Sequence, residues 1–369
     1  MHLIDYINRY DNWQERLTQP PYNLTIKNDN DYYLLKYNQL ESDFSLQEVV
    51  EARGCIVRED FDGEWIYVCK PFNKFFNYGE PWAAPIDWTS AVVTEKIDGS
   101  LMKLWYDYGK WHLSTNSTID AFCAPANQSG LTFGEIFERI LGTDIYNFAQ
   151  DCFLDYNSTY LFEMTSPETR VVIPYEDLIY YLSRIDNYNE YEYLSPLPGF
   201  TREQFEAYEI EFPNQYSFHS LKETIAYAES LPKEEEGFVI CDGYGRRIKV
   251  KSPSYLRAAH LFKKGNIGKA DILQMIKENT IDDFIAYFPE YKYKALDVRY
   301  DILAYCKALD IYWDLYGAIA TRKEFAEKVK NFDGSSLLFK KYTNSDFDMR
   351  AYILNEIGYK KLASLLGYK

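Results

Sequence analysis

Lys96 stands at the end of an apolar run, Val92-Val-Thr-Glu95, two residues before a turn at Asp98-Gly99. A lysine delivered by a strand to a place near other cations can lose its proton and act as a nucleophile. Alone, K-x-D-G arises by accident in roughly one such chain in ten, and it equally describes a hairpin with a solvated lysine. A second element begins at Glu235-Glu-Gly-Phe-Val-Ile-Cys241, turns at Asp242-Gly243 and returns as Arg246-Arg-Ile-Lys-Val-Lys-Ser252. Strand alternation predicts that Arg247, Lys249 and Lys251 project together while Ile248 and Val250 face a core. Glu236, Phe238 and Ile240 are expected to share a face. A carboxylate beside a row of cations suits a metal-bound polyphosphate, and it also describes a solvated sheet face. From Tyr244 to Ala270 there are eight Lys or Arg and no Asp or Glu. In a chain of net charge −16 that island marks a place where phosphates would be neutralised.

The elements that must position these groups are partly legible. Ser45-Leu-Gln-Glu48 and Thr132-Phe-Gly-Glu135 read as capping boxes. Asp62-Gly63 separates Cys55-Ile-Val from Trp65-Ile-Tyr-Val as a hairpin. Tyr160-Leu-Phe-Glu163 and Val171-Val-Ile173 read as strands around a turn at Ser166-Pro167. Tyr180 to Tyr193, rich in Tyr, Asn and acids, reads as an exposed insertion. After about Tyr255 only helical signals remain, with starts at Asp271-x-x-Gln274 and Thr321-x-x-Glu324. Ile302, Cys306, Leu309, Trp313 and Tyr316 make one apolar stripe, a core face. The pattern is α+β over 1–255, then a small all-helical domain over 256–369.

The 369 residues are 47% hydrophobic and 26% charged, the proportions of a folded protein, and 35 are tyrosine. No apolar run is long enough to cross a bilayer. The six cysteines and four histidines are scattered, without zinc-site spacing, which favours reduced thiols in the cytoplasm. Neither G-x-x-x-x-G-K-[ST] nor G-x-G-x-x-G occurs, and this excludes the P-loop and glycine-loop kinase routes.

Lys96-x-Asp98-Gly99, a carboxylate strand at Glu163, Glu236-Gly-Phe-Val and Lys249-Val-Lys251 stand in the order and spacing of the covalent nucleotidyltransferases, which comprise ATP-dependent DNA ligases, RNA ligases and capping enzymes. Within that superfamily the chain most resembles the RNA ligase 1 family of T-even phages. Lys36-Tyr37-Asn38, Glu51-Ala-Arg53-Gly54, Asn73-Lys74-Phe75-Phe76-Asn77, Phe162-Glu163-x-Thr-Ser-Pro-x-x-Arg170-Val-Val-Ile and Lys249-x-Lys251-Ser with Tyr255 carry the resemblance. It implies an ATP-grasp-like adenylation domain of antiparallel sheets and helices, with a helical C-terminal domain of RNA or tRNA specificity.

The resemblance also implies a three-step reaction using ATP and Mg²⁺. Lys96 takes AMP from ATP, AMP passes to an RNA 5′-phosphate, and a 3′-hydroxyl displaces it. Lys249 and Lys251 would hold the α-phosphate, and their charge would favour loss of the Lys96 proton. Arg53 and Lys74 would bind the outer phosphates, and Glu236 would act through magnesium. Glu163 would contact the ribose, Tyr37 and Phe76 the nucleotide, with core packing the competing reading of Phe76. Tyr255 is a further family match among the catalytic residues. Asp282, in Thr280-Ile-Asp-Asp283, matches a metal-linked position or is simply an acid at a helix start. The implied setting is a monomer repairing RNA, such as a nicked tRNA, in the cytoplasm, of the host cell if a phage encodes it. One departure stands out: Ser114-Thr-Asn116-Ser-Thr118 replaces a motif that usually carries a basic residue and glycine. The alternatives are another polynucleotide ligase, a capping-type enzyme, or a non-catalytic RNA-binding relative.

Overall fold

Short hairpins build the first of three sheets. β1 (Thr25–Asp29) pairs with β2 (Tyr32–Lys36), β2 with β3 (Arg53–Glu59), and β3 with β4 (Trp65–Cys69), all antiparallel. Gly63, at φ +84°, makes the turn that Asp62-Gly63 predicts. Helices α1 (Leu3–Arg9), α2 (Trp13–Thr18) and α3 (Gln47–Glu51) cover one face, burying Leu3, Trp13, Leu17, Leu35 and Val57 together. This computed structural model describes residues 1–369 except 40, 127–129, 170–174, 194–201, 233, 256–266, 279, 288–290 and 369. The expected strand at Val171–Ile173 lies outside the described residues.

The second sheet follows the order β11 (Glu192–Tyr193), β10 (Leu178–Asp186), β9 (Ser158–Thr165), β7 (Ser100–Asp107), β8 (Lys110–Thr115), with β12 (Ile210–Glu211) beside β10. Met102 and Leu104 on β7 face a core with Phe137, Phe148, Phe162, Tyr181 and Phe205. Trp105, one residue out of phase, faces the first sheet with Leu34, Ile56 and Val68. Helix α4 (Phe133–Leu141) starts as predicted: Thr132 Oγ1 accepts from Glu135 N–H, and the Glu135 carboxylate accepts from Thr132 N–H.

Two expectations fail in this region, the first in part. Tyr180–Tyr193 is an exposed insertion only in its second half, where Tyr188 and Tyr191 are solvated. Its first half belongs to β10, an interior strand whose Tyr181, Ser183, Arg184 and Ile185 are buried. Tyrosine rings carry apolar bulk, so a tyrosine-rich strand enters a core that its polar composition disguises. Ser45 does not open a capping box either. Its hydroxyl and amide both donate to Asp43 Oδ1, and α3 begins after Leu46 with no side-chain cap.

The third sheet has the order β13 (Gln215–Tyr216), β6 (Val92–Glu95), β14 (Gly237–Cys241), β15 (Arg247–Lys251), β5 (Phe76–Asn77). Val93, Phe238, Ile240, Ile248 and Val250 pack together with Ala228 of α7 (Leu221–Ser230).

Two compact units divide the chain, Met1–Ala259 and His260–Lys369. Every element among the second unit's described residues is helical, the longest being Lys292–Tyr316. On that helix Ile302, Cys306 and Leu309 are buried, while Trp313 and Tyr316 are only partly so. The helix at Arg322 starts as predicted, with Thr321 accepting from Glu324 N–H. The one at Lys269 starts earlier than expected, because Asp271 reaches back to accept from Gly268 N–H. No helix among the described residues is long and apolar enough to cross a membrane.

Candidate active site

Sheet pairing brings Lys96, Glu236 and Lys251 together. β6 and β15 flank β14 on opposite sides, Lys96 N–H donates to Gly237 O at 2.8 Å, and Gly237 pairs with Lys251. Glu236, 2% exposed, accepts from Lys96 Nζ at 2.7 Å through one oxygen and from Lys251 Nζ at 2.5 Å through the other. Burial pushes its carboxyl up, but the two ammonium groups outweigh this and hold it below the usual range.

The expected alternation is wrong at this point. Glu236 does not share a face with Phe238 and Ile240, which lie in the apolar core. Gly237, at φ +136°, turns the chain between them, and a Cβ there would stand 2.1 Å from Val250 O. Only glycine tolerates that backbone, so it alone lets the carboxylate reach the lysines.

Glu163 on β9 lies opposite Leu101 of β7, and its Cγ would be 2.9 Å from a Cβ on Gly99. Burial raises its carboxyl to about 7; Lys96 and Arg53 oppose the rise, while Glu236 and Asp98 add to it. Asp98 is itself buried and accepts from Tyr255 O–H at 3.0 Å, with Lys251 Nζ 5.5 Å from that ring. Glu236 thus touches Lys96, and Glu163 lies close enough to feel the charges of Lys96, Glu236 and Asp98. Burial, and not an excess of negative charge, is the first cause of the rise at Glu163, and the Glu163 and Glu236 carboxylates supply the oxygen donors that a divalent cation takes.

A cationic wall lies on the other side. Lys74 Nζ sits 4.8, 4.7 and 5.0 Å from the rings of Tyr37, Phe44 and Phe76. Arg53 Cζ is 4.8 Å and Lys249 Nζ 5.8 Å from the Phe75 ring, and Arg53 Nη1 is buried with no hydrogen-bond partner. Burial pushes the Tyr37 phenol up, but Lys74, Arg53, Lys249 and Lys36 together bring it below its ordinary value. Cations gathered around the Tyr37 ring make an anion site. Phe76 is buried and meets Phe44 edge-on, so packing and a ligand-facing role coexist there.

Lys103 escaped the sequence reading, and Lys36 entered it only as part of a family signature, with no role assigned. Lys36 Nζ donates to Ser117 Oγ at 2.7 Å. Lys103, wholly buried, donates to Gly54 O. Asn116 packs its carbonyl against Gly54, where a Cβ would be 2.5 Å away, and its Oδ1 is buried and unpartnered. Lys36 on β2 and Lys27 on the adjacent β1, whose Nζ donates to Ser117 O at 3.0 Å, thus reach the loop that lacks a cation of its own, while Lys103 ties β7 to Gly54 beside it. The signal of Lys36 and Lys103 was faint: each is one polar residue in an apolar strand.

The basic island proves less basic in place. Arg246 pairs with Asp242 at 2.8 Å, Arg247 with Glu192, Lys251 with Glu236, and Lys269 with Asp301 at 2.7 Å. Arg257, Lys263 and Lys264 lie outside the described residues. Asp282, in the helical unit, accepts from Arg299 at 2.8 Å. Among the described residues, His2, Glu51 and Glu190 also lie within ligating reach of one another. Glu51, however, accepts from His2 Nδ1, Leu3 N–H and Gln47 Nε2, and so secures the N-terminal helix.

The profile of a family described as RNA ligase matches residues 51–255, a span that holds every site residue above except those before Glu51 and Asp282. A protein of Autographa californica nuclear polyhedrosis virus, carrying the name bifunctional polynucleotide kinase/RNA ligase, is 31% identical over 73% of this chain and 40% of its own length. The RNA ligase of Rhodothermus phage RM378 is 25% identical over 77% of this chain and 76% of its own. The chain thus spans less than half of the first relative and about three quarters of the second. An archaeal ATP-dependent RNA ligase structure aligns over 90% of this chain and 76% of its own, with TM-score 0.45 and 11% identity, too distant to carry an argument. The profile covers more than half the chain and brackets the lysine, the carboxylates and the cationic wall that sheet pairing assembles, and on that ground the chain belongs to the RNA ligase family.

Proposed function

We propose that this protein is an ATP-dependent RNA ligase working through a nucleotidyltransferase adenylation fold in its first unit. The observation that carries the reading is the pairing of β6, β14 and β15, which sets Lys96 and Lys251 each within 2.7 Å of Glu236. The Lys96 ammonium leaves Glu236, gives its proton to water, and as the free amine forms an N–P bond to the α-phosphorus of ATP as the bond to pyrophosphate breaks. Lys249 and Lys251 hold the α-phosphate oxygens and offset their growing charge. Arg53, Lys74 and Tyr37 orient the departing pyrophosphate, so much of the barrier is lowered by alignment. Glu163 accepts from the ribose, and Tyr255 fixes Asp98 beside Lys96. Glu236, with Glu163, would hold a divalent cation, magnesium in this reading, whose chemistry is to neutralise phosphate charge. AMP then passes to an RNA 5′-phosphate, and a 3′-hydroxyl displaces it to seal the strand. Repair of nicked structured RNA such as tRNA, by a cytoplasmic monomer whose helical unit reads the RNA and whose Asp282 aids metal binding, completes the proposal.

The test is mass spectrometry of the full chain after incubation with ATP and Mg²⁺. A single AMP adduct on Lys96, lost in Lys96→Ala with the fold retained, is the expected result. Labelling of Lys96→Ala would overturn the choice of nucleophile. An unlabelled AMP-free wild type would favour a non-catalytic relative instead. A sealing assay on broken tRNA, RNA and DNA ends, with ATP or GTP, then separates the ligase and capping readings.

A further inference from the structure

A groove of about 1030 Å³ runs along the outside of the cationic wall. Lys74, Phe75 and Phe76 belong to its lining, and Phe75 is the ring over which Arg53 and Lys249 stand. The groove is therefore continuous with the candidate phosphate end of the site. Away from it the lining is aromatic: Phe72, Trp82, Tyr191, Tyr193 and Tyr244. Trp82 is 50% exposed, Tyr191 61% and Tyr244 77%. Large solvated rings clustered beside a catalytic cleft are unfavourable unless something covers them.

The lining's charges identify the occupant. Lys70, Lys74, Arg246 and Arg247 face Glu190, Glu192 and Asp242, so the groove carries a small positive excess. Each acid is already paired: Lys70 with Glu190 at 3.1 Å, Arg246 with Asp242 at 2.8 Å, and Arg247 with Glu192. Arg246 also stands 4.9 Å over Tyr244, and Arg247 4.5 Å over Phe72. Such a surface cannot neutralise a run of phosphates, but it offers ring faces and flat guanidinium groups. Those are the groups that stack unpaired bases, whereas a duplex keeps its base faces to itself.

We propose that this groove seats unpaired nucleotides of the RNA being joined, their bases stacked on Trp82, Tyr191 and Tyr244, and leads the strand end toward the lysine cluster. The proposal rests on the RNA ligase reading for the identity of the strand, but its test does not depend on catalysis. Binding of a fluorescein-labelled single-stranded oligoribonucleotide to the full chain is measured without ATP, and Lys96 labelling by ATP is followed in parallel. Trp82→Ala and Tyr244→Ala should each weaken RNA binding about tenfold, and Trp82→Phe should restore most of it. Lys96 labelling should be unchanged in all three. With about one phosphate neutralised, log affinity should fall against log salt with a slope near −0.7. A duplex of the same sequence should bind more weakly. Alanine variants within twofold of the wild type, equal binding of the duplex, or no RNA binding by the wild type would each overturn the groove's assignment. Failure of the wild type to label would instead overturn the ligase reading, while the binding measurements would still judge the groove.

Discussion

Replacing Glu163 by glutamine should change how stability depends on pH. In the folded protein burial raises this carboxyl from 4.5 to about 7, with Lys96 and Arg53 only partly opposing it. In the unfolded chain it titrates near 4.5. Between these values the folded state holds a proton that the unfolded state has released, so stability falls as pH rises through the window. Below about 4.5 the penalty is absent, and above about 7 it is complete. The separation corresponds to at most about 3 kcal/mol, less whatever solvent screens at the residue's partly exposed edge. Glutamine keeps the shape and cannot ionise. Urea unfolding at pH 5, 6, 7 and 8, read as variant minus parent, should show a difference growing by about 2–3 kcal/mol in the variant's favour. The same variant should lose Lys96 labelling, because an amide is a poorer acceptor for ribose hydroxyls than a carboxylate. A stability difference that stays flat across pH 5–8 would refute the account of Glu163 as a buried, near-neutral carboxyl.

Gly237→Ala should destabilise the first unit by more than about 3 kcal/mol, since its Cβ meets Val250 O at 2.1 Å at φ +136°. Gly109→Ala, at φ +77° with open space around it, should cost only about 1 kcal/mol in the same thermal or urea measurement. Asp107 receives Arg58 through two bonds of 2.7 and 2.9 Å and Tyr32 O–H at 3.0 Å, joining the first two sheets. Asp107→Ala strands a largely buried guanidinium and should cost about 3 kcal/mol by urea unfolding. Thr132→Ala removes one half of the α4 capping box and should cost about 1 kcal/mol, a loss that Thr132→Ser should largely avoid.

What could be read from the sequence was local. The Asp62-Gly63 turn, the Thr132 capping box and the delivery of Lys96 by Val92–Glu95 each depend on contacts a few residues apart. The motif order from Lys96 to Lys251 named the family because spacing along a chain survives without knowledge of the fold.

Tertiary structure decided the rest. Alternation put Glu236 on the wrong face, because one glycine conformation, set by its neighbour strand, reverses the period-two rule. The first half of Tyr180–Tyr193 looked solvated because composition counts tyrosine oxygens and not the ring surface of Tyr181, which β9 and α4–α6 cover, α5 being Ile145–Asp151 and α6 Arg202–Glu206. The basic island looked bare because Glu192 meets Arg247 from 55 residues away. Lys36 and Lys103 met Ser117 and Gly54 only through space, across 81 and 49 residues of chain. Residue types and spacing set which chemistry was available. Whether each charge was paired, buried or free to meet a phosphate was set by distance through space, which falls off steeply and bears no fixed relation to separation along the chain.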